Sequence, residues 1–533
     1  MRSRMLTVAI ATALGLVGFG VATASAQDAS SSDTSAKPHK HHSVSRESAA
    51  EQEAAANAEE VRLLKAQLAQ LQQQVSELEQ RTDAQSQINV ATNQQVAEAD
   101  KKVAAADKYV SDAKAGKIDY KGITITPGGF IEAAGFYRSK NEGGDVASSW
   151  SAIPFKSTNT SNAGEMRFSA RQSRLSLLAQ GDLSPDTHLA AYYEMDFLGA
   201  AQTANMNESN SFTPRTRVVY TTVDWSDLGL HLLAGDNWSL LTLNKTGITP
   251  RTEALPPTID AQYLPGFTWA RQPGVRLVKD WNQTWWLGVS LENAATTVGG
   301  KGTGVYSQTG GVNYNSANAV SLNDRPDLIA KFAMDPGFGH YEVFGINRAF
   351  LSRSSGTSNN SSHGNGFGIG MLLPLVPKVL DFQFSGMHGK GIGRYGSAGL
   401  PDATYNPDGS LEPIKETMLL AGLTLHPAPD FDVYAYGGQE REQKTVTSAT
   451  TGLGLPTLVN SGCNIVSGTC QGNTRKVTQE TVGFYWRFYH GPMGKLQFGA
   501  QYSHTERELF PGVGGGPTAT DNMFFTNLRY YPF

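Results

Sequence analysis

The sequence contains few cysteines and few long apolar runs, and both shortages restrict the class of protein. Its 533 residues include only two cysteines, Cys463 and Cys470, which excludes a disulfide-dense scaffold and a thiolate zinc site. No apolar run of about 18 residues follows the first two dozen positions, so no later membrane-spanning helix is predicted. The net charge is -4, which argues against general nucleic-acid binding.

Catalytic motifs are also missing. The chain has no G-x-S-x-G, no H-E-x-x-H and no P-loop sequence, and its histidines are scattered. Ser173 and His188 fall on adjacent predicted strands, but such pairs arise by chance. We therefore predict no enzyme, no cofactor and no metal site. The run from Lys37 to His42 could bind a transition metal weakly or be a basic flexible tail, and its role stays open.

The amino terminus has the pattern of a secretory signal. Arg2 and Arg4 precede an apolar run, and Ala24-Ser25-Ala26 matches a small-residue cleavage site. We assign residues 1–26 to a signal peptide and residues 27–60 to a flexible polar leader.

Residues 61–115 carry a heptad pattern that predicts an α-helical coiled coil, with residues 116–121 as a linker. Apolar side chains alternate three and four positions apart, and the register continues through eight heptads. Polar residues such as Thr82, Gln85 and Asn89 weaken the middle and can set the register, so the number of helices is left open. The residues expected to mediate oligomerisation are Val61, Leu64, Leu68, Leu71, Val75, Leu78, Val96, Val103 and Val110.

Residues 122–533 show period-two alternation that predicts an all-β transmembrane barrel. In the last part of the chain, Val482, Phe484, Trp486 and Phe488 alternate with less apolar residues, and the chain ends on Phe533. Sixteen strands can be placed from alternation and turn residues, starting near Gly122, Glu165, Asp186, Pro214, Leu228, Gly266, Thr284, Pro326, Gly339, Gly366, Lys378, Ile414, Asp430, Arg475, Gly494 and Asn522. A count of eighteen is the alternative.

The connections alternate between short turns and long segments, as in bacterial outer-membrane barrels. Both barrel ends are then periplasmic, and the coiled coil extends into the periplasm. A barrel of sixteen strands leaves a water-filled lumen.

Inward-facing charges predict the chemistry of that lumen. Arginines recur on neighbouring strands, where they could form a cationic wall opposite carboxylates. Arg171 and Arg174 have opposite strand parity, so one should face inward and the other should lie near the rim or a bulge. The predicted pore-lining or constriction residues are Arg171, Arg174, Glu194, Asp196, Arg217, Asp236, Arg251, Arg276 and Lys331.

Two further segments have predicted structures. The third long segment, residues 237–265, contains Trp238, Arg251 and several prolines, and is too apolar for a freely solvated loop. We interpret it as folded into the barrel to narrow the pore, with an external lid as the alternative. Cys463 and Cys470 should form one disulfide that closes a surface loop.

Several short motifs resemble those of the DcaP-like porins. They are Gly122-Ile-Thr-Ile-Thr-Pro-Gly-Gly-Phe130, Ala170-Arg-Gln-Ser-Arg-Leu175 and Tyr193-Glu-Met-Asp-Phe197, together with the signal, the heptads and the terminal Phe. The resemblance implies a homotrimeric outer-membrane channel with a coiled-coil extension, which takes up small anionic solutes such as dicarboxylates. The chain departs from the family pattern in its last strand. Every second residue counted back from Phe533 should be apolar, but this count reaches the polar Arg529 and Asn527.

Three alternatives remain open from the sequence. A trimeric autotransporter adhesin also joins a coiled coil to a barrel, but each of its chains contributes only a few strands, whereas roughly four hundred residues are barrel-like here. An eighteen-stranded sugar- or phosphate-selective channel would give a similar pattern. The chain could also be a structural tether that binds peptidoglycan through the coiled coil. In every case we expect contact with outer-membrane lipid and no nucleic-acid partner.

Overall fold

The computed structural model describes residues 46–114, 116–199, 213–302, 323–354 and 358–533. The predicted signal peptide, the run from Lys37 to His42 and most of the predicted leader lie outside these residues. The chain divides into two compact units, Met1–Lys101 and Lys102–Phe533, which are described separately below.

The helix α1 runs without a break from Arg46 to Lys114, so it begins before the first predicted heptad residue. Ala, Gln, Glu and Lys are frequent in it, and all four are good helix formers. Gly116 follows with a φ of 71°, a left-handed conformation that ends helices. Leu71 and Val103 are 59% and 58% exposed in the single chain. The apolar stripe is therefore available for another helix, and the coiled coil stays a prediction. Among the described residues, no helix combines the length and apolar character needed to cross a bilayer.

The second unit is a closed antiparallel barrel of sixteen strands. The strands are β1 Ile123–Arg138, β2 in two pieces Glu165–Ser169 and Arg174–Ser184, β3 Thr187–Asp196, β4 Arg215–Trp225, β5 Leu230–Trp238, β6 Arg271–Trp281, β7 Trp285–Glu292, β8 Asp327–Met334, β9 His340–Ser354, β10 Ser358–Val376, β11 Leu380–Lys390, β12 Lys415–Ala428, β13 Phe431–Glu442, β14 Thr474–Gly491, β15 Gly494–Leu509 and β16 Thr518–Tyr531.

Shorter elements lie between these strands. They are the strand Ile118–Tyr120, the hairpins Ala403–Tyr405 with Leu411–Pro413 and Thr445–Val446 with Gly452–Leu453, and the 3-10 turns Trp150–Ala152, Asn159–Asn162 and Gly393–Tyr395.

The pairing of the strands decides between the predicted barrel of sixteen strands and the alternative of eighteen. The main sheet contains eighteen hydrogen-bonded segments, but Ile118–Tyr120 only folds back on the start of β1. The two pieces of β2 both pair with β1, one after the other. The barrel closes where β1 also pairs with β16, so sixteen strands complete the circle. The prediction of sixteen is confirmed, and the alternative of eighteen is wrong.

Alternation along the strands separates an outer face from a lumen face. In β7 the exposed residues Leu287, Val289 and Leu291 alternate with the buried Trp286, Ser290 and Glu292. Apolar side chains thus lie on the outer face of the barrel and polar ones face inward.

The carboxy-terminal strand follows the same rule, although its phase was in doubt from the sequence. Phe524 and Leu528 are exposed, while Phe525 and Asn527 are buried, and Arg529 bonds to the buried Glu132. Pro532 and Phe533 lie beyond the strand. A count by twos from Phe533 therefore begins outside the alternating segment. This explains why the count reached Arg529 and Asn527, which face the lumen, rather than outward apolar residues.

The break in β2 coincides with the Ala170-Arg-Gln-Ser173 sequence. Ala134 pairs with Ser169 and Phe130 pairs with Arg174, so three residues of β1 lie opposite four of β2. One extra residue makes this a bulge, stabilised by the Ser173 hydroxyl, which accepts a hydrogen bond from the Glu132 N–H at 2.9 Å. The bulge shifts the parity of β2, which explains why Arg171 and Arg174 fit no single alternation.

Candidate functional site

A long connection between β5 and β6, residues 239–270, lies inside the barrel; we call it the inner loop. Its backbone bonds to inward-facing side chains from distant parts of the wall. The Ile259 N–H donates to Gln501 on β15 at 2.5 Å, and the Gly266 N–H donates to Glu440 on β13 at 2.7 Å. Gln383 on β11 donates to the Ala254 carbonyl at 2.8 Å. Buried backbone groups need such partners, and these contacts confirm the interior position rather than an external lid.

Part of the inner loop forms a short hairpin, residues 243–254, which we call the inner hairpin. The Lys245 N–H donates to the Thr252 carbonyl at 2.6 Å, and the Ala254 N–H donates to the Leu243 carbonyl at 2.7 Å. Arg251 has a φ of 67°, so it adopts the left-handed conformation that tight turns require. These bonds give the charged side chains of the hairpin a defined position.

A cavity of about 270 Å³ separates the inner hairpin from strands β2 to β5. Four basic residues and two acidic residues line it, along with three aromatic side chains. The lining residues are Arg174, Tyr192, Glu194, Arg217, Val218, Tyr220, Asn237, Trp238, Lys245, Arg251, Glu253 and Leu255. The excess of basic groups makes this cavity a candidate site for an anion.

The basic residues of the cavity differ in how far their charge is neutralised. Arg217 is 4% exposed and bonds to both Glu194 and Asp196. Arg174 lies 4.0 Å from Glu194 and keeps 20% of its side chain exposed. Lys245 and Arg251 are exposed to the cavity. Arg174, Lys245 and Arg251 are therefore the cations best placed to meet a solute.

Two tyrosines contact Arg251 in the cavity, and the carboxyl of Glu253 is buried beside it. Arg251 donates to the Tyr220 hydroxyl at 3.1 Å and lies 5.5 Å from the centre of the Tyr192 ring, a cation–π distance. Burial raises the pKa of the Glu253 carboxyl, because the charged form is disfavoured away from water.

Of the predicted site residues, Arg174, Glu194, Arg217 and Arg251 meet at the cavity. Asp196 is fully buried and is held by Arg215 and Arg217 rather than lining the cavity.

Three other predicted basic residues support the wall or the inner loop. Arg171, in the β2 bulge, bonds to Asp145 and to the carbonyls of Phe197 and Gly199. Arg276 is 6% exposed and donates to the Trp238 carbonyl at 2.6 Å. Lys331 is 1% exposed and donates to the Thr242 carbonyl at 2.7 Å.

Asp236 does not join Glu194 and Asp196 on the lumen face. Its cross-strand partners are Val219 and Pro273, and Val219 is 47% exposed on the outer face. Both faces of β5 are apolar around Leu232 and Leu233, so alternation in the sequence could not orient this strand.

Comparisons with known proteins agree with this architecture. No family model matches the chain, and no curated protein matches it in sequence. The crystal structure of the outer-membrane channel DcaP of Acinetobacter baumannii matches with a TM-score of 0.55 at 20% identity, covering 78% of this chain and 99% of that one. The chain has the fold of a DcaP-like outer-membrane channel. The predicted resemblance is thus confirmed at the level of the fold, which is that of an outer-membrane protein.

Two other solved structures match with lower TM-scores. An anion-selective porin from Comamonas acidovorans matches with a TM-score of 0.43 at 11% identity, covering 77% of this chain and 99% of that one. OmpT of Vibrio cholerae matches with a TM-score of 0.42 at 10% identity, covering 78% and 99%. Similarity at this level carries no argument about solutes.

Some residues that line the cavity were not predicted as site residues. Lys245, Glu253, Tyr192 and Tyr220 line the cavity with the predicted arginines. Lys245 and Glu253 could have been predicted from the unusual composition of the third long segment, to which both belong. Within the residues that the structure describes, no group of three or more His, Cys, Asp and Glu side chains is placed to hold a metal ion.

The two cysteines form a disulfide that is more buried than a surface clip. Cys463 and Cys470 are bonded, and Cys463 is fully buried in a cluster with Ile153 and Phe155 of the first long segment. The Ser157 N–H donates to the Cys463 carbonyl at 3.0 Å. The cysteine loop therefore packs against another long segment rather than standing alone in solvent.

Proposed function

We propose that the protein is an outer-membrane porin whose water-filled channel admits small anionic solutes of the dicarboxylate type. The observation that carries this proposal is the cavity at the inner hairpin, where the partly exposed Arg174 and the exposed Lys245 and Arg251 outnumber the two carboxylates. A positive field in a narrow, low-dielectric passage concentrates anions and lowers their entry barrier. More than one such charge in the same cavity suits a solute with two carboxylates.

The reversal potential of a single channel in a potassium chloride gradient tests this function. We expect anion preference at low ionic strength, which should fade above about 0.1 M, where the Debye length is near 10 Å. A channel that is already cation-selective at low salt would contradict the proposal, and would make Glu194 and Glu253 the groups that determine selectivity.

We further propose that three copies assemble, with the short turns and both barrel ends in the periplasm and α1 forming a parallel coiled coil there. The support is the alternation of short and long connections, which matches bacterial barrels, and the exposed heptad stripe of α1. Lys102 at a g position and Asp107 at the following e position pair only in a parallel assembly.

A cysteine at Ala99 should report on this assembly. Ala99 occupies a core heptad position, so equivalent residues of a parallel coil approach one another and the A99C variant should crosslink between chains under oxidation. A cysteine at the exposed Asp83, outside the core positions, serves as the matched control and should crosslink far less. Equal yields at both positions would mean that the helices do not associate in the predicted register.

A further inference from the structure

We propose that a proton on His340 holds the inner hairpin against the barrel wall, so that the conductance of the channel depends on pH through this residue. The inference rests on the proposed function only in requiring that the barrel conducts ions. His340 acts here as a positioning residue, since it contacts the groups that hold the hairpin and not the cavity itself.

The hairpin is attached to the wall through a buried ion pair between β8 and β9. Lys331 Nζ lies 2.7 Å from Glu342 Oε2, and both side chains are fully buried. Lys331 also donates to the Thr242 carbonyl at 2.7 Å. The other Glu342 oxygen accepts a hydrogen bond from the Asn244 N–H at 3.0 Å. One end of the hairpin is thereby held by two opposite charges.

A second attachment lies at the turn between β8 and β9. Asp335 Oδ2 accepts a hydrogen bond from the Gly247 N–H at 2.9 Å. His340, whose side chain is 2% exposed, bridges this carboxylate and the first one. Its Nδ1 is 2.8 Å from Asp335 and its Nε2 is 3.0 Å from Glu342. Both carboxylates that hold the hairpin therefore share one imidazole.

With both carboxylates ionised, these two contacts fit a doubly protonated ring. Ionised carboxylates only accept hydrogen bonds, and a neutral imidazole carries a single N–H. Two contacts to two carboxylates are satisfied together only by imidazolium. The charges agree, because Lys331 and protonated His340 balance Glu342 and Asp335. The other charged groups acting on this cluster are of opposite sign, Arg276 from β6 and Glu253 from the inner hairpin.

Loss of the proton would leave one buried negative charge without compensation and one hydrogen bond unmade. A buried unpaired charge is strongly unfavourable, and the structure can relieve it by turning Asp335 toward water, which releases the Gly247 N–H. Lys245 lies between the two attached residues, Asn244 and Gly247, and it lines the cavity. Release of this attachment would change the width and charge of the constriction.

Single-channel conductance measured in potassium chloride between pH 5 and pH 9 tests the proposal. Wild-type protein should show a quiet, low-conductance state at acid pH and a noisier, higher-conductance state at alkaline pH. H340Q should stay in the second state at every pH. H340K keeps a positive charge and should stay closer to the first state at every pH, which is a rescue that a merely steric role would not produce.

The matched control is H188Q. His188 bonds to Asp182 at the same short-turn end of the barrel, but its side chain is 42% exposed, so its replacement should leave the pH profile unchanged. D335N gives a second test, because the cluster then balances with a neutral His340 and should lose its pH dependence.

A wild-type conductance that is constant from pH 5 to pH 9, or an H340Q profile identical to wild type, would overturn the proposal. Heat-modified migration in electrophoresis identifies any variant whose barrel fails to fold, and in that case D335N decides. Anion preference is measured separately by the reversal potential, so either proposal can fail while the other stands.

Discussion

Replacing Arg174, Lys245 and Arg251 by glutamine should shift the channel from anion toward cation preference while the barrel stays folded. The three side chains line the cavity, and none of them is fully buried. At about 6 Å in a water-like dielectric, each charge contributes roughly 0.7 kcal/mol to the attraction of a monovalent anion. Removing all three should lower the occupancy of the cavity by a monovalent anion up to about 30-fold at low salt, and the anion-to-cation permeability ratio should fall with it.

The measurement is the reversal potential in a salt gradient, compared with a control of equal charge. Glutamine at Arg325, Lys415 and Lys444 removes three exposed basic groups that do not line the cavity, and should change the ratio little. If the control shifts the ratio as much as the cavity variant does, overall charge and not the inner hairpin determines selectivity.

Arg348→Met should lower the stability of the long-loop end of the barrel by about 3–5 kcal/mol, because it removes the cation that two buried carboxylates share and leaves only Arg394, 3.7 Å from Asp327, beside them. Arg348 on β9 is 1% exposed and bonds to Asp327 at 3.0 Å and to Asp402 at 2.6 Å. Asp327 begins β8, and Asp402 belongs to the long connection between β11 and β12. One guanidinium therefore joins two strands and a loop.

The midpoint of urea unfolding, followed by tryptophan fluorescence and by heat-modified migration, measures this effect. Arg325→Met is the matched control, because Arg325 forms an exposed pair with Asp324, 56% and 40% accessible, and surface pairs contribute little. Arg348→Lys keeps the charge but loses the forked geometry, so it should recover only part of the loss. An unchanged midpoint for Arg348→Met would mean that Asp327 and Asp402 find other partners.

The sequence by itself determined the type of fold and nearly all strand positions. Alternation is a local property, and each outward residue must be apolar whatever its neighbours are, so strands such as β7 and β8 were predictable from their own residues. The predicted start at Glu165 matches the structure. The predicted start at Gly366 fell well inside β10, which begins at Ser358, because Asn, Ser and Gly in its first half give no apolar alternation.

Tertiary structure alone decided which charges meet and what they do. Arg174 and Arg251 are distant in the sequence but share a cavity because the inner loop folds back through the lumen. Lys331 and Arg276 face inward as predicted, yet Lys331 donates to the Thr242 carbonyl of the inner loop and Arg276 to the Trp238 carbonyl at the end of β5, since a loop inside a barrel must find its hydrogen-bond partners on the wall. The partner of an inward charge depends on long-range strand register and on the path of that loop. Neither is encoded in the local pattern around the charge.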